Sequence, residues 1–210
     1  MVALPVEKEG VVIGFHMETE KVTDTFSLSA AYGVNNRQSI LLRIPFVLSS
    51  PAKDELGDIS TLLRYTLWRQ DRFSGTSRLG LLGGVVLPIA EDSEWATQAG
   101  FVFTQFKDRH EIDIDAIYLS GLNDRPDSGR YDISWQYRIS PEQRATWGIE
   151  GELHSVLEFN GRWVNAVKPQ RQITLGLQFV HPKIVIEGGI IRSLKESKDT
   201  QTIFGIRFHL

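Results

Sequence analysis

Residues 150–155, with the sequence EGELHS, come closest in type and spacing to a chemical site. Glu150, Glu152 and His154 fall at every second position, so an extended strand places them on one face. Carboxylates and an imidazole bind divalent metals and act as general bases. Successive side chains on one face of a strand are about 7 Å apart, so two of these groups could reach one ion but the third hardly could. No second histidine cluster accompanies them, and we predict no metal and no other cofactor.

A nucleophilic triad is the other chemistry that the residue types allow. Ser134 and Asp132 fall on one predicted strand and His154 on the next, so a Ser-His-Asp set is formally available. The chain has five histidines and many serines, which makes such a coincidence common, and it lacks the G-x-S-x-G nucleophile elbow. The glycine-rich stretch 80–84 lies inside a strand pattern without the helix that a phosphate-binding loop requires. We predict no catalytic residues and no enzymatic activity.

The charged residues of the predicted strands fall mainly on the polar faces, which a barrel would turn toward its lumen. One interpretation is a set of interior ion pairs that fill and stiffen the barrel. The other is a permeation path, in which acidic and basic walls face each other across a narrow pore and favour polar or zwitterionic solutes. The candidate residues for either role are Arg43, Arg64, Asp113, Asp115, Asp132, Arg138, Glu150, Glu152, His154 and Arg207.

The elements that must position these residues are strands with one apolar and one polar face. The stretch TFSLSAAYGV, residues 25–34, alternates large apolar residues with serine, alanine and glycine. This period of two indicates β-structure, and strands near ten residues long suit a tilted bilayer crossing. No convincing helix occurs. The pattern predicts about twelve strands, at residues 10–20, 24–34, 37–48, 57–70, 77–90, 96–107, 110–121, 129–140, 144–158, 171–181, 183–193 and 201–210.

The connections between these segments alternate in length, as in an up-and-down barrel with short turns at one end and longer loops at the other. The short class comprises 35–37, 107–109, 140–143 and 181–183. The long class comprises SSPAKDEL, NDRPDSG, NGRWVNAVKPQ and KESKDTQ. One link, QDRFSGTS at 70–77, belongs to the short class by its place in the chain but is predicted to be long.

Two features indicate which face of each strand points outward. Tyr32, Tyr118, Tyr131 and Trp147 fall toward predicted strand ends, where an aromatic girdle would meet lipid headgroups. The small residues between positions 27 and 33 suit a crowded interior. We therefore predict an all-β, antiparallel, up-and-down transmembrane β-barrel of about 12 strands (10–14). It forms a single domain over 1–210, with a short N-terminal segment at 1–9.

The composition narrows the function further. The chain has 23 basic and 26 acidic residues, so it lacks the basic surface of a nucleic-acid-binding protein. It has no cysteine, hence no disulfide framework and no thiolate metal site. The first ten residues lack the apolar segment of a signal peptide. For an exported protein we expect that peptide to have been removed.

Three stretches resemble a known family. LGDISTLLRYTLWR (56–69), followed by LGLLGGVVLPIAED (79–92), is similar to a signature of the outer-membrane β-barrels of the MetA-pathway of phenol degradation family. Residues 173–210 resemble the last three strands of that family. The final alternation of Phe204, Ile206, Phe208 and Leu210 is similar to the signal read by the barrel-assembly machinery. The chain departs from the family in ending on leucine rather than an aromatic residue and in lacking a glycine after the proline of PIAED.

The resemblance implies a barrel in the outer membrane of a diderm bacterium that passes small, often aromatic or hydrophobic, compounds. We therefore expect a passive channel whose partners are the lipid bilayer, the barrel-assembly machinery through the C-terminal strand, and a small-molecule permeant. Two alternatives stay open. One is a structural barrel without an open pore, whose loops NDRPDSG and NGRWVNAVKPQ, with exposed Trp163, bind a partner. The other is a soluble β-barrel that binds a lipophile internally.

Overall fold

The computed structural model describes residues 6–19, 23–49, 55–89, 93–142, 151–194 and 200–210. Within these residues there are thirteen strands and no helix long and apolar enough to cross a membrane. The strands are β1 Val11–Thr19, β2 Thr23–Asn35, β3 Gln38–Ser49, β4 Glu55–Leu56, β5 Ile59–Arg72, β6 Gly75–Leu87, β7 Ala96–Lys107, β8 His110–Gly121, β9 Ser128–Ser140, β10 Glu152–Val164, β11 Gln170–His181, β12 Ile184–Ser193 and β13 Thr200–His209.

The sheet closes on itself through its first and last long strands. Phe15 of β1 lies opposite Ile206 of β13. Every described pairing is antiparallel, and apart from this closure and the β3–β5 pair, which passes over β4, the partners are consecutive strands. The two-residue strand β4 pairs only with β3, at the point where Pro45 lacks an N–H for the ladder. There the backbone N–H of Gly57 donates to the Pro45 carbonyl at 2.8 Å. The closed barrel therefore has twelve strands, which confirms the prediction.

Apolar side chains cover the outside of the barrel, and polar ones fill the inside. On β9, Ile133, Trp135 and Ile139 are exposed on the outer face, whereas Ser134, Gln136 and Arg138 between them are buried inside. The outward direction predicted for the apolar faces is thus confirmed. The inner wall of β3 and β5–β8 is the exception, because it carries an apolar cluster. Leu62, Leu82, Val102 and Ile117 are buried in it, and the half-buried Leu41 packs against them.

The two ends of the barrel differ in their connections. At the end where β1 begins and β13 ends, the N–H of Val11 donates to the Leu210 carbonyl at 3.1 Å. We call this the termini end and the opposite one the loop end. β5 runs to Arg72 and β6 starts at Gly75, so their link is a two-residue turn. The prediction that QDRFSGTS forms a long link is therefore wrong. The strand pattern weakens there because serine, glycine and charged residues interrupt the alternation.

β10 lies further along the chain than the alternation predicted. It spans Glu152–Val164 instead of 144–158, while Trp147 and Glu150 fall outside the described residues. The predicted loop NGRWVNAVKPQ is consequently strand as far as Val164. Trp163 is half-buried on the outer face of β10, with its ring 5.7 Å from that of Tyr118. The prediction that Trp163 is an exposed loop residue is wrong.

Aromatic residues lie on the outer face toward both ends. Tyr118 and Trp163 are near the loop end, and the Tyr131 ring covers Gly161 on the neighbouring strand. Toward the termini end, the Trp135 ring stacks on His110 at 5.9 Å. This distribution is the one expected of aromatic girdles at two lipid headgroup layers.

Candidate functional site

The lumen gathers most of the residues that the sequence singled out. Nine of the ten candidates lie on inner faces, and Glu150 is outside the described residues. Their role in permeation remains a prediction. The nine are Arg43, Arg64, Asp113, Asp115, Asp132, Arg138, Glu152, His154 and Arg207.

Asp113 on β8 is buried, and each of its carboxylate oxygens accepts a hydrogen bond from a polar side chain. Thr104 donates from its hydroxyl to Oδ1 at 2.5 Å, and Gln136 donates from Nε2 to Oδ2 at 3.1 Å. These partners sit on the two flanking strands, so the carboxyl group links three strands from inside. Asp115, two residues further, is 1% exposed and lies opposite Asp132 in the pairing of β8 with β9. Like charges at directly opposed positions repel each other.

Asn160 on β10 lies between the carboxylates of Asp132 and Glu158 and binds both. Its Nδ2 donates to Oδ1 of Asp132 at 2.6 Å and also to Oε1 of Glu158. Its own carbonyl oxygen accepts the hydroxyl of Thr174 at 3.3 Å. One amide therefore spans the inner faces of β9, β10 and β11.

Two mixed-charge clusters lie closer to the termini end. Nε2 of His154 lies 3.0 Å from Oε2 of Glu152, and Nη1 of Arg138 lies 3.6 Å from Oε1 of the same carboxylate. The structure thus brings these three predicted residues together. Glu187 is contacted by His16 at 3.0 Å, and Arg207 and Gln178 donate to it. Both clusters fit the ion-pair interpretation of the interior. The alternation of β12 around Glu187 carried the signal for the second cluster, but His16 and Glu187 were not selected from the sequence.

The EGELHS stretch shows no metal-binding arrangement in its described part. Arg138 lies beside Glu152, where its positive charge opposes a cation, and no group of three His, Asp or Glu side chains among the described residues could hold a metal ion. The Ser-His-Asp set is also not assembled. His154 pairs with Arg138, four residues from Ser134, which is about 13 Å along a strand.

The N-terminal segment enters the lumen at the termini end. The backbone N–H of Val6 donates to Oγ of Ser39 at 3.2 Å, and that of Glu9 donates to the Gly33 carbonyl at 2.7 Å. Ser39 is fully buried and also accepts a hydrogen bond from Arg64 at 3.3 Å. A side chain at Gly33 would begin 1.8 Å from the Glu7 carbonyl oxygen. The segment therefore occupies part of the lumen cross-section.

At the loop end, one arginine ties three connections together. Arg125 donates from Nη1 to Oδ2 of Asp58 at 2.7 Å and to the Glu94 carbonyl at 2.6 Å. Ser93 donates to the same Asp58 oxygen at 2.5 Å. Because these residues come from separate connections, the contacts hold one side of this mouth in a fixed shape.

The β8–β9 connection, which contains Arg125, is also held by a carboxylate with a shifted pKa. Tyr118 donates its hydroxyl to Asp127 at 2.6 Å, and the N–H of Gly121 donates to the other oxygen at 2.9 Å. These two hydrogen bonds favour the charged form and hold the pKa of Asp127 below its ordinary value.

Arginines and carboxylates share one inner wall. Arg130, Arg138 and Arg162 lie on the inner faces of β9 and β10 together with the acidic residues, so the acidic wall of the permeation hypothesis also carries positive charge. Arg130 and Arg162 were absent from the predicted site. Arg162 was missed because the predicted strand ended at 158, although its alternation with Gly161 and Trp163 continues the strand pattern.

A closed twelve-stranded barrel with an apolar outside and a charged lumen has the fold of the outer-membrane β-barrels. No family model matches the sequence, and no curated protein matches it either. Among solved structures, an outer membrane channel from Pseudomonas putida F1 is similar, with a TM-score of 0.61 and 14% identity, covering 99% of this chain and 97% of that chain.

Two porins have the same architecture. NanC porin has a TM-score of 0.61 at 10% identity and KdgM porin one of 0.58 at 8% identity; each match covers 94% of this chain and 98% of the porin. At these identities the likeness establishes the fold. The narrower resemblance to the MetA-pathway of phenol degradation family stays a hypothesis.

Proposed function

We propose that the protein is a bacterial outer-membrane channel through which small molecules pass passively along the lumen. The observation that carries this proposal is that the closed barrel has its apolar side chains on the outside and its charged side chains on the inside, the reverse of a soluble protein. Exposed apolar side chains such as Leu175 (62% exposed), Ile190 (55%) and Phe204 (55%) cover the outside, whereas carboxylates and guanidinium groups line the inside. Lipid is the environment in which such a surface is stable. The similar channel and porins support the proposal through their shared fold.

The interior favours small permeants. Arg64, Asp115, Thr104 and Arg138 are almost completely buried inside the barrel, and Val6–Gly10 fills part of the termini end. Twelve strands enclose less space than the sixteen of an open porin. The apolar cluster of β3 and β5–β8 is buried as well, so it packs the interior and leaves less room for a solute on that side.

The proposal includes a location and two further partners. The bilayer contacts the apolar outer faces, and the exposed Phe204 and Phe208 of β13 present the alternating signal to the barrel-assembly machinery. We place the protein in the bacterial outer membrane, the location of the similar channel. We assign no catalytic residue, because Ser134 and His154 lie apart and the carboxylates are bound by amides, hydroxyls or arginines.

Planar-bilayer recording tests the channel function. Protein refolded in detergent and inserted into a lipid bilayer should give discrete conductance steps smaller than those of a sixteen-stranded porin. Insertion is checked separately, by resistance of the reconstituted barrel to external protease. A protein that inserts but gives no steps in KCl would contradict the channel and favour a structural or loop-binding barrel.

The soluble lipophile-binding alternative requires the opposite distribution of side chains. A soluble barrel would bury its apolar faces inside and expose its charges, but here the inner faces of β8–β10 are charged. The loop-binding alternative retains one supporting observation, the Asp58–Ser93–Arg125 contacts that fix part of the loop end.

A further inference from the structure

Three arginines approach one another in the lumen near the loop end. Arg130 on β9 and Arg162 on β10 are directly opposite in the pairing of these strands. Both point inward, because the residues beside them, Gly129 and Gly161, are covered by aromatic rings on the outer face. Their guanidinium groups therefore start from neighbouring points on one inner wall.

Arg43 completes the cluster from the other side of the barrel. β3 lies six strands from β10 around the ring of twelve, which is the diametrically opposite position. Arg43 nevertheless interacts electrostatically with both Arg130 and Arg162. The three side chains thus extend toward one another across the lumen, which we call the arginine cluster.

The surroundings neutralise this cluster only in part. In the portion of the chain that the structure describes, none of its three members forms a salt bridge, and Arg43 donates to the hydroxyl of Ser27 at 3.2 Å. On the strands flanking β9 and β10, the positions opposite the pair hold the uncharged residues Ile117 and Gln170. The acids in electrostatic range are Asp132, which accepts a hydrogen bond from Asn160, and Glu18.

Other arginines of the lumen and its mouth are placed differently. Arg138 lies beside Glu152, Arg207 beside Glu187 and Arg125 beside Asp58. Each therefore has a carboxylate within the protein. The arginine cluster is also open to solvent, since Arg43 and Arg162 are exposed. Positive charges that are close together, accessible and incompletely paired provide a site for an anion.

We propose that Arg43, Arg130 and Arg162 bind the anionic group of a permeating solute, a carboxylate or a phosphate. Guanidinium groups bind both oxyanions through paired N–H donors, and a bound anion relieves the repulsion between like charges on opposed strand positions. The proposal rests on the channel function and deepens it, because the cluster makes small organic anions the preferred solutes. A localised positive field in a narrow lumen raises the local concentration of anions and retards cations.

Ion selectivity gives the first test. Under a KCl gradient across a planar bilayer, the reversal potential of the wild-type channel should show a preference for chloride. The double variant Arg130→Gln, Arg162→Gln should lose or reverse that preference. The matched control is Arg171→Gln, Arg192→Gln, which removes the same charge near the same end but from the outer face, and it should keep the wild-type potential.

Equilibrium binding gives a second test that needs no conduction. Calorimetric titration of the folded, detergent-solubilised protein with acetate, and separately with inorganic phosphate, should show binding to the wild type and to the outer-face control. Each of Arg43→Gln, Arg130→Gln and Arg162→Gln should weaken it by about tenfold or more, the loss expected for one charged hydrogen-bonding partner. The two titrations also distinguish a carboxylate site from a phosphate site.

The outcomes separate this inference from the channel proposal. Arginine-dependent binding without conductance would overturn the channel and leave the anion site standing. Conductance whose reversal potential is unchanged in the lumen variants, with binding that is absent or equal in all variants, would overturn the anion site and leave the channel standing. Each single variant removes one of the like charges that repel each other in the cluster, so we expect it to fold. Folding is checked by gel mobility before and after boiling.

Discussion

At the scale of single residues, the absence of a side chain at Gly33 leaves the space in the lumen that the N-terminal segment Val6–Gly10 occupies. The inner face of Gly33 is in contact with the backbone of Val6 and Glu7, and its N–H donates to the Gly10 carbonyl at 3.0 Å. Any larger residue must displace this segment. The interior at the termini end therefore depends on a position that carries no functional group of its own.

Gly33→Val should expel the N-terminal segment while the barrel still closes, because the clash is with backbone that cannot rotate away. The expected results are a larger single-channel conductance and faster proteolysis near residue 10. Gly83→Val is the matched control, since a side chain at Gly83 meets no atom within 4 Å. Equal conductance and equal proteolysis in both variants would show that Val6–Gly10 does not narrow the path.

At the scale of elements, the stability of each strand depends on lipid covering its outer face and polar groups covering its inner face. Leu175 and Thr174 are adjacent on β11, but Leu175 is exposed on the outside, whereas Thr174 bonds to Asn160 on the inside. Leu175→Arg should lower the free energy of unfolding by about 2–4 kcal/mol, the cost of a cation near the bilayer midplane. Thr174→Arg should cost less, because the lumen is polar and Glu158 lies opposite.

Denaturant titration in lipid vesicles measures both variants against the wild type. The same titration in a detergent micelle should shrink the difference between them, since detergent lets water approach the substituted face. If Leu175→Arg and Thr174→Arg lost equal stability in vesicles, the assignment of outer and inner faces to β11 would be refuted.

At the scale of the whole molecule, closure between β1 and β13 leaves none of the twelve long strands of the described residues at a free sheet edge, and removal of edges is what permits a sheet to persist in lipid. The purified chain should therefore require detergent for solubility. On SDS gels, the unboiled sample should migrate differently from the boiled one, because a closed barrel resists SDS until heated. A monomer that stays soluble without detergent would place the apolar faces in a core and remove the basis for a channel.

Much of the fold could be predicted from the sequence, because the side-chain period of a strand is a local property. The bounds 96–107 and 110–121 agree with β7 and β8 residue for residue, and the strand number and outward apolar faces are confirmed. The prediction was wrong for β10, where Gly161 interrupts the apolar pattern. In the structure the Tyr131 ring of β9 covers Gly161, a contact that the local sequence does not contain.

The sequence by itself determined that this chain forms an antiparallel barrel of about twelve strands, and which residues share a polar face. Period-two alternation fixes those two properties without reference to distant residues. Only the tertiary structure decided which lumenal charges meet. Arg43 and Arg162 are far apart in the chain and come together because ring closure places β3 opposite β10. Charge interactions across a lumen depend on distance in space, which the order of residues specifies only after the barrel has closed.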